Sequence, residues 1–371
     1  MKQALRTCCT LLVLLVLAAC ASSEPTSATA NGRAKALRTQ LDDEMPRLLR
    51  ENGVPSASIA HIENGKLILV AAYGSQSPGV PATDATLYNV ASLTKPVTAQ
   101  VILRLVSQGK ISLDEPMANY WLDPDIAHDE RAKLLTPRLS LSHQTGFPNW
   151  RRMTGGVLTF KHTPGEAYGY SGEGYEYLRR FAEKKLQTPF ETLAETEVLQ
   201  PFGMNETAYT GRPWFQGRIA VPTKADGKVL EPEIAKEAFA SDQLYTTARD
   251  YAKFMLAVLN DTGLTPAVAR ERIRIQVAEH PPKCTPVKVA GCPDEQGFGL
   301  GWEVIRVGDD TYLMHGGSDE GVATLVYLSL KDRTGTVLLT NSDNGMKLVL
   351  PLFDLIGSDP TLVTCLRNET C

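Results

Sequence analysis

The sequence predicts an α+β fold, an α/β sandwich in which one antiparallel β-sheet, built from both chain ends, is flanked by helices and interrupted by a mostly helical insertion. Three observations carry this expectation. A strand-like hairpin lies near the start of the chain, at 57–74. A second group of strand-like runs lies near its end, between 298 and 341. The stretch between them is punctuated by Pro and Gly and carries amphipathic helical segments.

In order, Ala34, Leu37, Leu41, Met45 and Leu48 repeat at helical spacing and predict a helix over 34–50. Two strand-like runs then flank Asn64-Gly65, a dipeptide that accepts the positive φ angles of a tight hairpin turn. Val97, Val101, Ile102, Leu105 and Val106 form one apolar helical face, which Gly109 ends. Loops and short helices fill 110–240. TTARDYAKFMLAVLN (246–260) predicts an amphipathic helix entered from a Thr cap. Strands follow at FGLGWEVIRV, TYLMHGG, ATLVYLSL and GTVLLTN, then a helix at 346–356.

The chain has 371 residues, 43% hydrophobic and 22% charged, enough for one large domain or two. Its net charge is −4 and no basic stripe interleaves with aromatics, so nucleic acid is not an expected partner. Lys2 and Arg6 followed by the apolar run Leu11–Ala19 have the layout of a secretory signal, too short to span a bilayer. "LAAC" at 17–20 resembles a bacterial lipoprotein cleavage box. The expected organisation is a signal peptide at 1–19, a lipid-anchored tether at 20–33 beginning with lipidated Cys20, and a folded domain at 34–371. Within that domain the α/β part covers 34–95 and 245–371, with the helical insertion at about 96–244. The expected location is the cell envelope or periplasm, anchored by lipid to a membrane. Ala21 and Ser22 lack the aspartate that retains lipoproteins at an inner membrane, which favours the outer membrane.

Cys8 and Cys9 leave with the signal and Cys20 carries lipid, so Cys284, Cys292, Cys365 and Cys371 remain. An even number in an oxidising compartment suggests two disulfides. Of the three pairings the local one, Cys284–Cys292 with Cys365–Cys371, is expected. A zinc site is the alternative, and no paired CxxC or HxxxH spacing supports it. Neither a metal nor a cofactor is expected.

The candidate for chemistry is ASLTKP at 91–96, with Ser92 and Lys95 three residues apart. Ser-x-x-Lys alone is weak, and Ser107-Gln108-Gly109-Lys110 is a second match. Context separates the two. Ser107 ends its helix, where the dipole is negative and disfavours an oxyanion. Ser92 begins one, because Pro96 is tolerated only in a first turn. There the N–H of Ser92 is free of helical partners and available to an oxyanion, and residues i and i+3 share a face. Serine needs a base, and a desolvated lysine can become one.

TLYNVASLTKP resembles the nucleophile segment of the class C β-lactamase-like serine hydrolases, the family of penicillin-binding DD-peptidases, class C β-lactamases and related esterases and D-aminopeptidases. LSHQTGFP (141–148), PGEAYGYSGEGY (164–175), LQPFGMNET (199–207), TTARD (246–250) and HGGSDEG (315–321) resemble further family segments in order. The resemblance covers most of residues 40–345 and implies a β-lactamase/transpeptidase-like fold and a serine hydrolase domain. Its second motif, Tyr-x-Asn, implies that Tyr170 shuttles the serine's proton, with Tyr168 the neighbouring alternative. Gly172 stands where the asparagine belongs, so the carboxamide that binds a substrate amide is missing. The third motif, Lys-Thr-Gly, falls on His315-Gly316-Gly317. The resemblance gives Ser318 the second oxyanion N–H, and sets His315 beside Tyr170 or the substrate, able to be neutral where lysine is not. It implies a small-molecule or peptidoglycan-derived substrate: an ester or amide first, a DD-peptidase substrate second, a β-lactam third. A lipid-anchored protein that binds peptidoglycan fragments without turnover is the reading of another class.

Literal matches elsewhere fail on position. Ser342-Asp343-Asn344 follows the last strand, and Arg333-Thr334-Gly335 lies in a turn. HGG as a lipase oxyanion loop would need a Gly-x-Ser-x-Gly elbow, which the chain lacks. His143 reads as a loop anchor. His61, His128, His162 and His280 have no partner pattern, and Trp150 suits either a cleft wall or the core.

Overall fold

The computed structural model describes residues 27–279, 284 and 289–371. The expected signal segment, Cys20, the tether up to residue 26 and His280 lie outside the described residues. Among the described residues no helix is long and apolar enough to cross a membrane.

Helix α1 (Ser27–Asn52) leads into strands β1 (Ser56–Glu63) and β2 (Lys66–Ser77) and two short strands, β3 (Val80–Pro81) and β4 (Tyr88–Asn89). A 3-10 turn at Ala91–Leu93 runs into α2 (Thr94–Ser107). The middle of the chain carries α3 (Pro137–Leu141), α4 (Gly172–Leu186) and α5 (Phe190–Ala194) between loops and 3-10 turns. Next come β5 (Tyr245–Thr246), α6 (Ala248–Leu259), α7 (Pro266–Ile273), β6 (Val277–Ala278) and β7 (Glu295–Phe298). The chain closes with β8 (Glu303–Val307), β9 (Asp310–Asp319), β10 (Val322–Ser329), β11 (Thr334–Thr340), α8 (Val349–Ile356) and α9 (Pro360–Asn368). Helix α1 takes in residues 27–33, which the sequence assigned to the tether. Ala28 and Ala30 are strong helix formers and no proline intervenes, so the helix propagates outward from its packed part.

The main sheet runs β3-β2-β1-β11-β10-β9-β8-β7-β6, and its paired strands are antiparallel. The chain ends meet where β1 pairs with β11, Ala57 opposite Thr340 and Ile62 opposite Gly335. The β1–β2 hairpin turns at Asn64 (φ 50°) and Gly65 (φ 69°), both left-handed, as a two-residue turn with the strands' own twist requires.

Strand alternation sorts the core into two layers. Ala57, Ile59, Leu325 and Leu338 face Leu37, Leu41 and Met45 of α1 and Leu352 and Phe353 of α8. Ala60, Ile62, Val326, Val337 and Leu339 face the other way, towards Tyr251, Phe254 and Met255 of α6 and Val97, Val101 and Leu105 of α2. β1 is therefore covered on both faces, and SASIAHIE shows little polar alternation. Cys284 is bonded to Cys292 and Cys365 to Cys371.

Two helices are longer or later than expected. Helix α4 has fifteen residues, begun by Ser171, whose Oγ accepts the Gly174 N–H at 3.0 Å, and closed at Gln187 (φ 51°). Helix α9 is capped by Asp359, whose carboxylate accepts the Thr361 N–H, with Pro360 in its first turn.

Candidate active site

Ser92 lies in the 3-10 turn immediately before α2. The turn is held tightly. Ala91 adopts φ 47°, and its N–H donates to Asn89 Oδ1 at 2.8 Å. Thr94 Oγ1 donates back to Ala91 O, and Val90 O accepts from Leu93 N–H at 3.0 Å and from Thr324 Oγ1 of β10 at 2.9 Å. A non-glycine residue at positive φ is strained, and here sheet and helix together fix it beside the nucleophile.

Lys95, fully buried in the first turn of α2, donates from Nζ to Ser92 Oγ at 2.8 Å and to the Ser241 carbonyl at 2.8 Å. Its Nζ also stands 4.8 Å from the centre of the Tyr170 ring and 5.8 Å from that of Tyr175. Ser241 is positioned by Glu176 of α4, which accepts its N–H at 3.0 Å and its hydroxyl at 2.7 Å.

Tyr170 lies against the ring of His143, centroids 4.3 Å apart. His143 is fully buried at φ 56°; its Nδ1 accepts the Ser171 N–H at 3.1 Å and its carbonyl accepts the Gly169 N–H at 2.8 Å. Burial, then the nearby Lys95, hold it well below the usual imidazole range. It is a neutral anchor under the tyrosine loop. Tyr168 turns away to Glu279, which leaves Tyr170 as the tyrosine lining the cleft.

His315 and Gly317 lie on the face of β9 that meets the nucleophile turn. His315 is buried, its Nδ1–H donates to Gly316 O at 2.7 Å, and its Nε2 has no protein partner. Burial, then Lys95, push it down to about 3. The imidazole is thus neutral, and its ring centroid is 6.3 Å from that of Tyr170 with no hydrogen bond between them. The His315 side chain is buried and is not among those that line the cleft. A Cβ on Gly317 would collide with Thr324 Oγ1 and fall 2.6 Å from Val90 O and 3.2 Å from Ser92 N. Only glycine lets β9 come this close to the backbone of the nucleophile turn.

Ser92, Tyr170, Gly316, Gly317 and Ser318 line one cleft of about 600 Å³ together with Trp150, Asp242, Asp319 and Met346. Another, mostly apolar groove of about 550 Å³, between the end of α1 and β2, holds none of these groups. Asp242 was not legible in the sequence. It follows Ser241, and burial raises its carboxyl to about 6 while Lys95 pulls the other way.

The buried histidines contribute one part of the acid response of the fold. An ordinary imidazole titrates near pH 6.5, so below that value the unfolded chain binds protons that folded His315 and His143 refuse. Their share of stability is full above pH 6.5 and is lost as pH falls below it, by about 1.4 kcal/mol per pH unit for each ring, for His315 down to about pH 3. Asp242, raised to about 6, and Glu303, raised to about 7, work in the opposite sense, as do Glu279 and Asp319, which burial also raises. On going from pH 7.5 to 5 the melting temperature of the unaltered chain will shift downward relative to that of His315→Asn, which lacks the buried imidazole. Equal slopes in the two proteins would refute the assignment.

A serine in contact with a buried lysine, in a cleft beside an antiparallel sheet, is the arrangement that nucleophilic acyl transfer requires. The chain belongs to the Beta-lactamase family, whose model matches residues 37–358. It is 22% identical over 325 residues to "Protein flp" of Staphylococcus aureus (strain COL), covering 81% of this chain and 62% of that protein. It therefore spans less than two thirds of the length of that relative. It is 27% identical over 313 residues to "Esterase EstB" of Burkholderia gladioli, covering 68% of this chain and 78% of the esterase. Among solved structures, the octameric penicillin-binding protein homologue from Pyrococcus abyssi superposes with a TM-score of 0.73 at 19% identity, over 89% of this chain and 80% of that one.

Proposed function

We propose that this chain is an exported, lipid-anchored serine hydrolase that cleaves an ester or amide carbonyl through a Ser92 acyl-enzyme, with esterase-like specificity. The observation that carries the chemistry is the 2.8 Å contact of Lys95 Nζ with Ser92 Oγ. Tyr170 and Lys95 together take the Ser92 proton while Oγ attacks the carbonyl carbon. The N–H groups of Ser92 and Ser318 hold the oxyanion. The ester C–O bond breaks, the proton passes to the leaving alcohol, and the acyl group stays on Ser92. Water then attacks the acyl-enzyme, gives its proton to the same base, and frees the acid and Ser92.

Two substitutions support the esterase reading. Gly172 offers no carboxamide to a substrate amide, and His315, neutral with a pKa of about 3, offers no charge to a substrate carboxylate. An ester carbonyl needs neither group. The name of the Burkholderia relative agrees. The LAAC segment supports lipidation at Cys20 and a location at the outer membrane of the cell envelope, where peptidoglycan fragments are within reach.

Mass spectrometry of the full chain after incubation with a fluorophosphonate and with a penicillin tests the assignment. An adduct on Ser92 with the fluorophosphonate alone is expected. A long-lived adduct with both would favour a DD-peptidase, rapid loss of the penicillin a β-lactamase, and no adduct a binding protein. The same spectra test the anchor: an N-terminus other than acylated Cys20, in protein taken from its own membranes, would refute it.

A further inference from the structure

We propose that Trp150 determines specificity in this cleft and selects esters with a flat apolar acyl group, aromatic ones above all. The inference deepens the esterase reading and rests on it. It begins with Gly172. A Cβ there would lie 2.7 Å from Cη2 and 2.9 Å from Cζ3 of the Trp150 indole. Any side chain at 172 and the indole in this place are mutually exclusive. The glycine is more than a missing carboxamide: its space belongs to an aromatic ring that also lines the cleft beside Ser92 and Tyr170.

The ring is held from both sides along the chain. Asn149 Oδ1 accepts the Gly172 N–H at 2.8 Å, and Asn149 O accepts the Glu173 N–H at 3.1 Å. Arg151 gives its backbone N–H to Glu173 at 2.9 Å, and its guanidinium meets Glu173 at 3.0 Å, Asp123 at 3.0 Å and Asp125 at 3.2 Å. The segment is thereby fastened to the start of α4, and the indole is organised before a substrate arrives. A pre-placed aromatic face binds a flat partner at little conformational cost.

The rest of the cleft agrees. Phe239 and Met346, 39% and 47% exposed, are large apolar side chains left open to solvent among its lining. Covering them with an apolar group is favourable. Glu233, Asp242 and Asp319 against Arg152 give the lining an excess of carboxylates, which disfavours an acyl group carrying its own carboxylate. We assign this wall of the cleft to the acyl side, and esters that share one leaving group test that side directly.

The test compares p-nitrophenyl phenylacetate with p-nitrophenyl acetate, which share a leaving group. The full chain is expected to favour phenylacetate in kcat/KM. Trp150→Ala is expected to lower the phenylacetate-to-acetate ratio by about tenfold, and Trp150→Phe to keep most of it. Inhibition by benzylboronic against methylboronic acid, which needs no turnover, is expected to move in parallel. An unchanged ratio with both esters cleaved overturns the role of Trp150 alone. An effect confined to a series of acetates with varied alcohols overturns the acyl assignment. Failure of the unaltered chain to cleave either ester or bind either boronate overturns the esterase reading and this inference with it.

Discussion

Ser92→Ala lowers kcat/KM on an activated ester by on the order of 10⁵–10⁶-fold and abolishes labelling by a fluorophosphonate. The size follows from the covalent step. Without Oγ no acyl-enzyme forms, and the remaining groups give water no comparable attack geometry. What survives is the oxyanion site and substrate binding, worth roughly 10³–10⁴-fold over the uncatalysed reaction. Folding is not at issue, since Ser92 lies at the surface of a cleft and the turn is held by Asn89, Thr94 and Thr324, not by its hydroxyl. Ester turnover and a melting curve of the variant decide it. Wild-type turnover in Ser92→Ala would mean that another residue is the nucleophile.

Lys95→Ala is expected to lower kcat by about 10²–10⁴-fold while KM stays within about threefold. The amine acts on the Ser92 proton and faces Ser92 and Ser241, not the open cleft, so its loss weakens the chemical step more than substrate capture. Lys95→Arg separates base from charge. A guanidinium keeps the positive charge beside Tyr170 but cannot give up its proton at any working pH. If lysine is a proton acceptor, the arginine variant is as slow as the alanine one. If it only supplies positive charge, the arginine variant recovers much of the rate and the proposed proton path is wrong. Burst kinetics on a nitrophenyl ester distinguish slow acylation from slow deacylation in either variant.

These expectations draw on parts of the chain that were legible to different degrees. The turn at Asn64-Gly65 and the helix stop at Gly109 were readable because each is settled by a few neighbouring residues. So was the nucleophile: Pro96 forces a helix to start just before it, whatever the rest of the fold does. The fifteen residues of α4 were harder. GEGY at its beginning is rich in glycine, and the helix persists because Tyr175, Leu178 and Phe181 are buried in the core. Residues 27–33 went the other way, helical where small polar residues read as a tether.

By itself, the sequence determined the alternation that divides the sheet into two layers, the order of strands and helices, and the place of Ser92 and Lys95 on one turn. All of these depend on periodicity and on backbone limits within a few residues. Long-range packing settled that Tyr170 and not Tyr168 lines the cleft, that Ser241 holds Lys95 across 146 positions, that His315 is neutral, and that Trp150 fills the space above Gly172. Those outcomes depend on which distant groups exclude water from one another, and desolvation and van der Waals contact are properties of the packed chain, not of its spacing.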